Sequence, residues 1–91
     1  MSFQEEVLEE VKEKVSEKNN NHIVLFNDDY NTFDHVIDTL IVACDHSAVQ
    51  AEQCAMLVHF KGKCTVKTGG YEDLVPRCSK LLEAGLTAEI Q

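Results

Sequence analysis

From Phe33 to Cys44 the apolar side chains fall at Phe33, Val36, Ile37, Leu40, Ile41 and Cys44. This is the i, i+3, i+4, i+7 spacing of a helix that turns one face toward a core. Thr32 is placed to cap it, and Asp34 in the first turn suits the positive end of the helix dipole. Just upstream, Ile23–Phe26 is apolar at every position, so the strand it forms has no face to give to water. A chain of 91 residues has room for one domain and one shared core.

The rest of the chain fills in that domain. Asp45-His46 breaks the first helical pattern, and Ser47-Ala48-Val49-Gln50 reads as a capping box that opens a second helix. That helix is predicted to run to about Phe60, with Ala48, Ala51 and Ala55 leading along one stripe to His59, and Gly62 stops it. Cys64–Thr68 alternates loosely as a strand, and Gly69-Gly70 turns the chain. Tyr71–Glu83 reads as a third helix with a buried stripe of Leu74, Cys78, Leu81 and Leu82. With Asp73 as its cap, Pro76 falls in the first turn, where a missing N–H costs little. Gly85 ends the helix, and 86–90 is a closing strand. The predicted class is α+β: a small β-α-α-β-α-β domain over 22–91, three helices packed on a three-stranded, mainly antiparallel sheet.

Residues 1–21 form a separate region. Phe3, Val7, Val11 and Val15 recur every fourth residue among six acidic and three basic side chains, and Asn19-Asn20-Asn21 follows as a linker. A helix of this length is marginal alone, so a mobile arm is expected, partly helical at most.

Composition removes several function classes. The net charge of −8 opposes a nucleic-acid surface and suits a cationic ligand or a basic partner. No apolar run approaches the roughly 20 residues of a membrane span, and the opening Met-Ser-Phe-Gln-Glu-Glu has no secretory-signal pattern, so a cytoplasmic protein is expected. Cys44, Cys54, Cys64 and Cys78 have neither zinc-site nor haem-attachment spacing, and read as small buried hydrophobes. No cofactor and no metal are expected.

The first strand ends in Asn27-Asp28-Asp29, an amide and two carboxylates before a helix. Such a trio commonly builds a turn. It is also a set of acceptors suited to an ammonium group, which has three N–H donors and no acceptor. His59 lies near the end of the second helix, where a histidine commonly serves the dipole. If the first two helices form an antiparallel hairpin, His59 returns to the Asn-Asp-Asp loop and adds a neutral imidazole nitrogen.

Residues 23–38, Ile-Val-Leu-Phe-Asn-Asp-Asp-Tyr-Asn-Thr-Phe-Asp-His-Val-Ile-Asp, resemble the opening of the ClpS adaptor family. Residues 51–63, ending in Val-His-Phe-Lys-Gly-Lys, resemble that family's second helix, at the matching separation. The resemblance covers about 22–91. It implies a non-enzymatic adaptor that binds the free α-amino group and bulky first side chain of N-degron substrates. The bound substrates are delivered to a Clp-family AAA+ unfoldase-protease through the unfoldase's N-terminal domain. By that resemblance Asn27, Asp28, Asp29 and His59 hold the α-amino group. Phe26, Asn31, Phe33, Val36, Ala55, Val58 and Ala88 line the side-chain pocket, and Glu72 and Arg77 face the unfoldase. Ala55 stands where many members carry Met, Ala88 where Leu is common, and Phe33 where a Met often gates the pocket. The expected partners are the unfoldase and N-degron peptides and proteins, with no nucleic acid and no membrane, and a monomer is expected. The arm would act as a spacer or contact the unfoldase. The other reading is a protein-interaction module of the ribosomal-stalk C-terminal type, which has no amine pocket and leaves the Asn-Asp-Asp and His59 set without a use.

Overall fold

A computed structural model describes residues 20–91. The elements run β1 (Asn21–Phe26), α1 (Phe33–Cys44), α2 (Ala48–Lys61), β2 (Lys63–Gly69), α3 (Tyr71–Glu83) and β3 (Thr87–Ile90). The strands form one sheet in the order β2-β1-β3, antiparallel at both pairings, as the α+β reading expects. The mobile arm expected over 1–21 lies outside the described residues except for its last two. Asn21 is strand, not linker, because its backbone pairs opposite Gly69.

β1 is the central strand, and Ile23, Val24 and Leu25 are all buried, as an all-apolar run demands. Ile23 and Leu25 enter a core shared with Leu40, Cys44, Leu74 and Leu81 from the helices. Between Ile23 and Val24 the pairing with β2 slips, and the partners step from Lys67 to Thr65 past Val66. This bulge leaves the Val66 carbonyl to accept from Nε2 of buried His46, in the turn between α1 and α2.

The helix ends follow the chemistry of their capping residues. Thr32 Oγ1 accepts from the His35 N–H at 3.1 Å, and Ser47 Oγ accepts from the Gln50 N–H at 3.1 Å. Gly62 ends α2 at φ +91°, a region that an L side chain enters only with strain. Asp45 ends α1 at φ +56°, and its carboxylate meets Arg77 of α3 at 2.9 Å.

Three local expectations fail. Asp73 is not the cap of α3: the helix starts at Tyr71 with Gly70 as N-cap, and the Asp73 carboxylate accepts from Arg77 Nε at 3.2 Å one turn on. Pro76 therefore lies inside the helix. Leu82 is 52% exposed because it sits at the edge of the stripe set by Leu74, Cys78 and Leu81, beyond the cover of the sheet. Phe33 is 39% exposed, since it opens α1 at the rim of a cleft and not over the core.

The four cysteines form no disulfide. All four are free, with Cys44 and Cys78 buried and Cys54 and Cys64 half-buried. Burial pushes the Cys44 thiol up to about 11, and burial together with neighbouring Cys64 pushes Cys54 up to about 12. Thiols held that far from ionisation are poor nucleophiles. Among the described residues no three His, Cys, Asp or Glu side chains are arranged to hold a metal, and no helix is long and apolar enough to cross a membrane.

Candidate functional site

β1 and α2 both end at the same edge of the domain, and so does α3, whose C-terminus leads into β3. The chain crosses that edge in three turns, and the candidate site is built from them. The Asn27 N–H donates to the Gly62 carbonyl at 2.9 Å, which joins the loop after β1 to the turn after α2. The antiparallel pairing of α1 and α2 then brings His59 back beside Phe33, with ring centroids 6.5 Å apart and the rings edge to face.

Asp28 organises the loop. Its Oδ1 accepts from the N–H groups of Tyr30 at 2.9 Å and Asn31 at 2.8 Å, and its Oδ2 accepts from Asn31 Nδ2 at 2.7 Å. Burial alone would raise its pKa, but the donors of Asn31 and Tyr30 outweigh that and hold the carboxyl below its ordinary 3.8. Asn31 Nδ2 also donates to the Gly85 carbonyl at 3.0 Å, and His35 Nε2 donates to the Ala84 carbonyl at 2.8 Å. Carbonyls freed where α3 ends thus accept from the loop and from α1. Both N–H groups of the Asn31 amide are thereby committed within the protein.

A cleft of about 360 Å³ opens beside this loop, lined by Asn27, Asp28, Asp29, Asn31, Phe33, Val36, Ala55, Val58 and His59. Its chemistry is two-sided. One edge offers the Asn27 amide, the Asp29 carboxylate and the His59 imidazole; the floor is Val36, Ala55 and Val58, the last two buried. A cleft of this size with a few converging polar groups suits a small amphipathic ligand.

Not every residue expected in the pocket is there. Phe26 lines a second, smaller recess with Leu25 and Leu86, which adjoins the cleft and shares Asn27, Asp28, Asn31, Val36 and Val58 with it. Ala88 lines neither space: it is opposite Leu25 in the β1–β3 pairing and packs into the core. Cross-strand partners share a face, so the register that buries Leu25 buries Ala88 with it. On α3, Glu72 is exposed in the first turn, whereas Arg77 is engaged within the fold. Its Nη1 donates to the Ala43 carbonyl at 3.2 Å and to Asp45, and its Nε to Asp73.

Some of what shapes the site was not foreseen from the sequence. The Gly62–Asn27 and Asn31–Gly85 hydrogen bonds depend on which turns share an edge, which needs the topology. Phe60, 72% exposed, packs its ring against His59 at 4.9 Å between centroids. A large aromatic next to a candidate histidine was the one signal available.

Residues 16–89 match the protein family described as "ATP-dependent Clp protease adaptor protein ClpS". A curated relative, the ATP-dependent Clp protease adapter protein ClpS of Treponema denticola, is 31% identical over 74 residues, covering 81% of this chain and 73% of the relative. Among solved structures, Agrobacterium tumefaciens ClpS2 bound to L-phenylalaninamide superposes with a TM-score of 0.67 at 20% identity, covering 82% of this chain and 96% of that one.

Proposed function

The chain belongs to the ClpS family of ATP-dependent Clp protease adaptors, and from that premise we propose that it captures the free α-amino group and bulky first side chain of N-degron substrates. It then hands them, in the cytoplasm, to a Clp-family AAA+ unfoldase. The observation that carries this reading is the two-sided cleft, whose polar edge faces an apolar floor across one small space.

A protonated amine needs three acceptors. Asn27 Oδ1, the Asp29 carboxylate and an unprotonated nitrogen of His59 supply them, while Asp28 holds the loop and adds negative charge. Val36, Ala55 and Val58 receive the side chain, and Phe33 at the rim closes over it. The ligand of the Agrobacterium protein, L-phenylalaninamide, has the same two parts, a free amine and an apolar side chain. Burying a Leu- or Phe-sized group contributes roughly 1.5–3 kcal/mol. Each charge-assisted hydrogen bond contributes about as much before entropy is counted, so micromolar affinity, roughly −8 kcal/mol, is within reach of a few contacts. No bond is made or broken. Glu72, exposed on α3, is offered to the unfoldase, and Arg77 shapes that surface from behind through Asp45 and Asp73.

The test is a calorimetric panel of peptides that differ only in residue one, each with a free and an acetylated N-terminus. Phe- and Leu-initiated free amines should bind in the micromolar range, and their acetylated twins at least tenfold more weakly, a difference of about 1.4 kcal/mol or more. Acetylation removes a charge and donors while leaving the acceptors desolvated. Equal affinity for free and acetylated twins would overturn the reading.

A further inference from the structure

Three of the four histidine rings are fixed by a hydrogen bond: His22 to Thr68 Oγ1 at 2.9 Å, His35 to the Ala84 carbonyl, and His46 to the Val66 carbonyl. His59 is the exception, since no described residue hydrogen-bonds its ring. Two aromatic rings lie close to it. Phe60 stands edge to face against it at 4.9 Å with an interplanar angle of 77°, and Phe33 does so at 6.5 Å and 83°.

A ligand-binding imidazole is ordinarily oriented by a hydrogen bond to its second nitrogen, which fixes both the tautomer and the ring plane. Here that partner is missing among the described residues, while two phenyl rings stand edge to face with the imidazole. We infer that Phe60 is a positioning residue for the amine site: with Phe33 it clamps the His59 ring so that one nitrogen faces the cleft. The exposure of Phe60 fits this role. A phenylalanine 72% exposed at a helix end contributes little to the core, yet its ring lies on the one residue of α2 that brings an imidazole to the cleft. Aromatic pairs favour this edge-to-face geometry at centroid separations of about 4.5–7 Å. With no described residue bonded to either ring nitrogen, the cleft-facing nitrogen is free to accept from the ligand. The binding side of this inference rests on the amine reading above.

The experiment compares the wild type with Phe60→Ala, Phe60→Trp, His59→Ala and the double variant His59→Ala/Phe60→Ala. Affinity for a free-amine Phe-initiated peptide is measured by calorimetry, and His59 ring motion in the free protein by carbon relaxation. Phe60→Ala should weaken binding about three- to tenfold and raise ring motion, while Phe60→Trp keeps wild-type values on both. In the His59→Ala background, Phe60→Ala should cost nothing more, because a residue acting through another couples fully to it. Additive losses would show that Phe60 meets the peptide itself, and unchanged affinity or unchanged ring motion in Phe60→Ala would show that it holds nothing; each overturns the inference. Failure of the amine reading is distinct, since it shows in the wild type as indifference to acetylation. The ring-motion measurement on the free protein still decides the clamp in that case.

Discussion

Asp28 and Asp29 are adjacent carboxylates with different duties. Asp28 spends both oxygens on Tyr30 and Asn31, so its loss unties the loop. Asp29 accepts from no described residue and lines the cleft. The two substitutions should therefore separate stability from binding. Asp28→Ala is expected to lower unfolding free energy by about 1–3 kcal/mol through lost charge-assisted hydrogen bonds, and to weaken peptide binding as a result. Asp29→Asn should leave the melting temperature unchanged and weaken binding of a free-amine peptide at least tenfold. Melting curves and calorimetry on the two variants check both halves. The pH dependence of Asp28 has a definite sign. Its folded pKa lies below the ordinary 3.8, so its contribution is complete above that value and is lost as pH falls through the lower folded one. The amide signals of Tyr30 and Asn31 should move together below about pH 4, and Asp28→Ala should abolish that transition.

At the level of elements, α3 carries an oddity that invites removal. Pro76 sits well inside the helix and is exposed, so it breaks the hydrogen-bond ladder and packs against little. Proline in a helix interior is roughly 3 kcal/mol worse than alanine, and the greater freedom of the unfolded chain returns at most about 1 kcal/mol of that. Pro76→Ala should then raise the melting temperature by several degrees, at about 4–8 °C per kcal/mol for a domain of this size; a lowered melting temperature would refute this account of α3. The same helix shows where sequence reading succeeds and where it stops. Its limits, Tyr71 to Glu83, were legible from the stripe of Leu74, Cys78 and Leu81 and the stop at Gly85. Its cap was not, because Asp73 satisfies the local rule for an N-cap but is drawn to Arg77, whose position depends on α1 packing alongside. Phe33 and Leu82 fit the helical period yet are exposed, since period fixes a direction and not what covers it. For the candidate site, Asn27, Asp28, Asp29 and His59 were legible as a set once α1 and α2 were paired antiparallel. The resemblance puts Ala88 in the pocket, but strand register sends it to the core.

Across the whole molecule, the site is assembled where three turns meet at one edge of a single core. The polar edge comes from the end of β1 and the imidazole from the end of α2, while Gly85 after α3 braces the loop from the other side. The sheet itself is bounded by β2, with Lys63 and Lys67, and by the four-residue β3. Charged and short edge strands discourage further strand pairing. The Asn27 N–H to Gly62 carbonyl bond now takes on a meaning beyond geometry. It links two segments distant in sequence, so neither half of the cleft can open without breaking a contact to the other. Opening of this edge is therefore expected to be a single cooperative event rather than the fraying of separate loops. In native-state hydrogen exchange, the Asn27 amide, bonded to the Gly62 carbonyl, and the Gly62 amide, bonded to the Val58 carbonyl, should share one opening free energy and one denaturant dependence, well above those of Tyr30 at the exposed loop tip. On the proposed function a bound peptide would touch both segments and slow the pair by the same factor, so that ligand binding would be felt as protection of the whole edge at once.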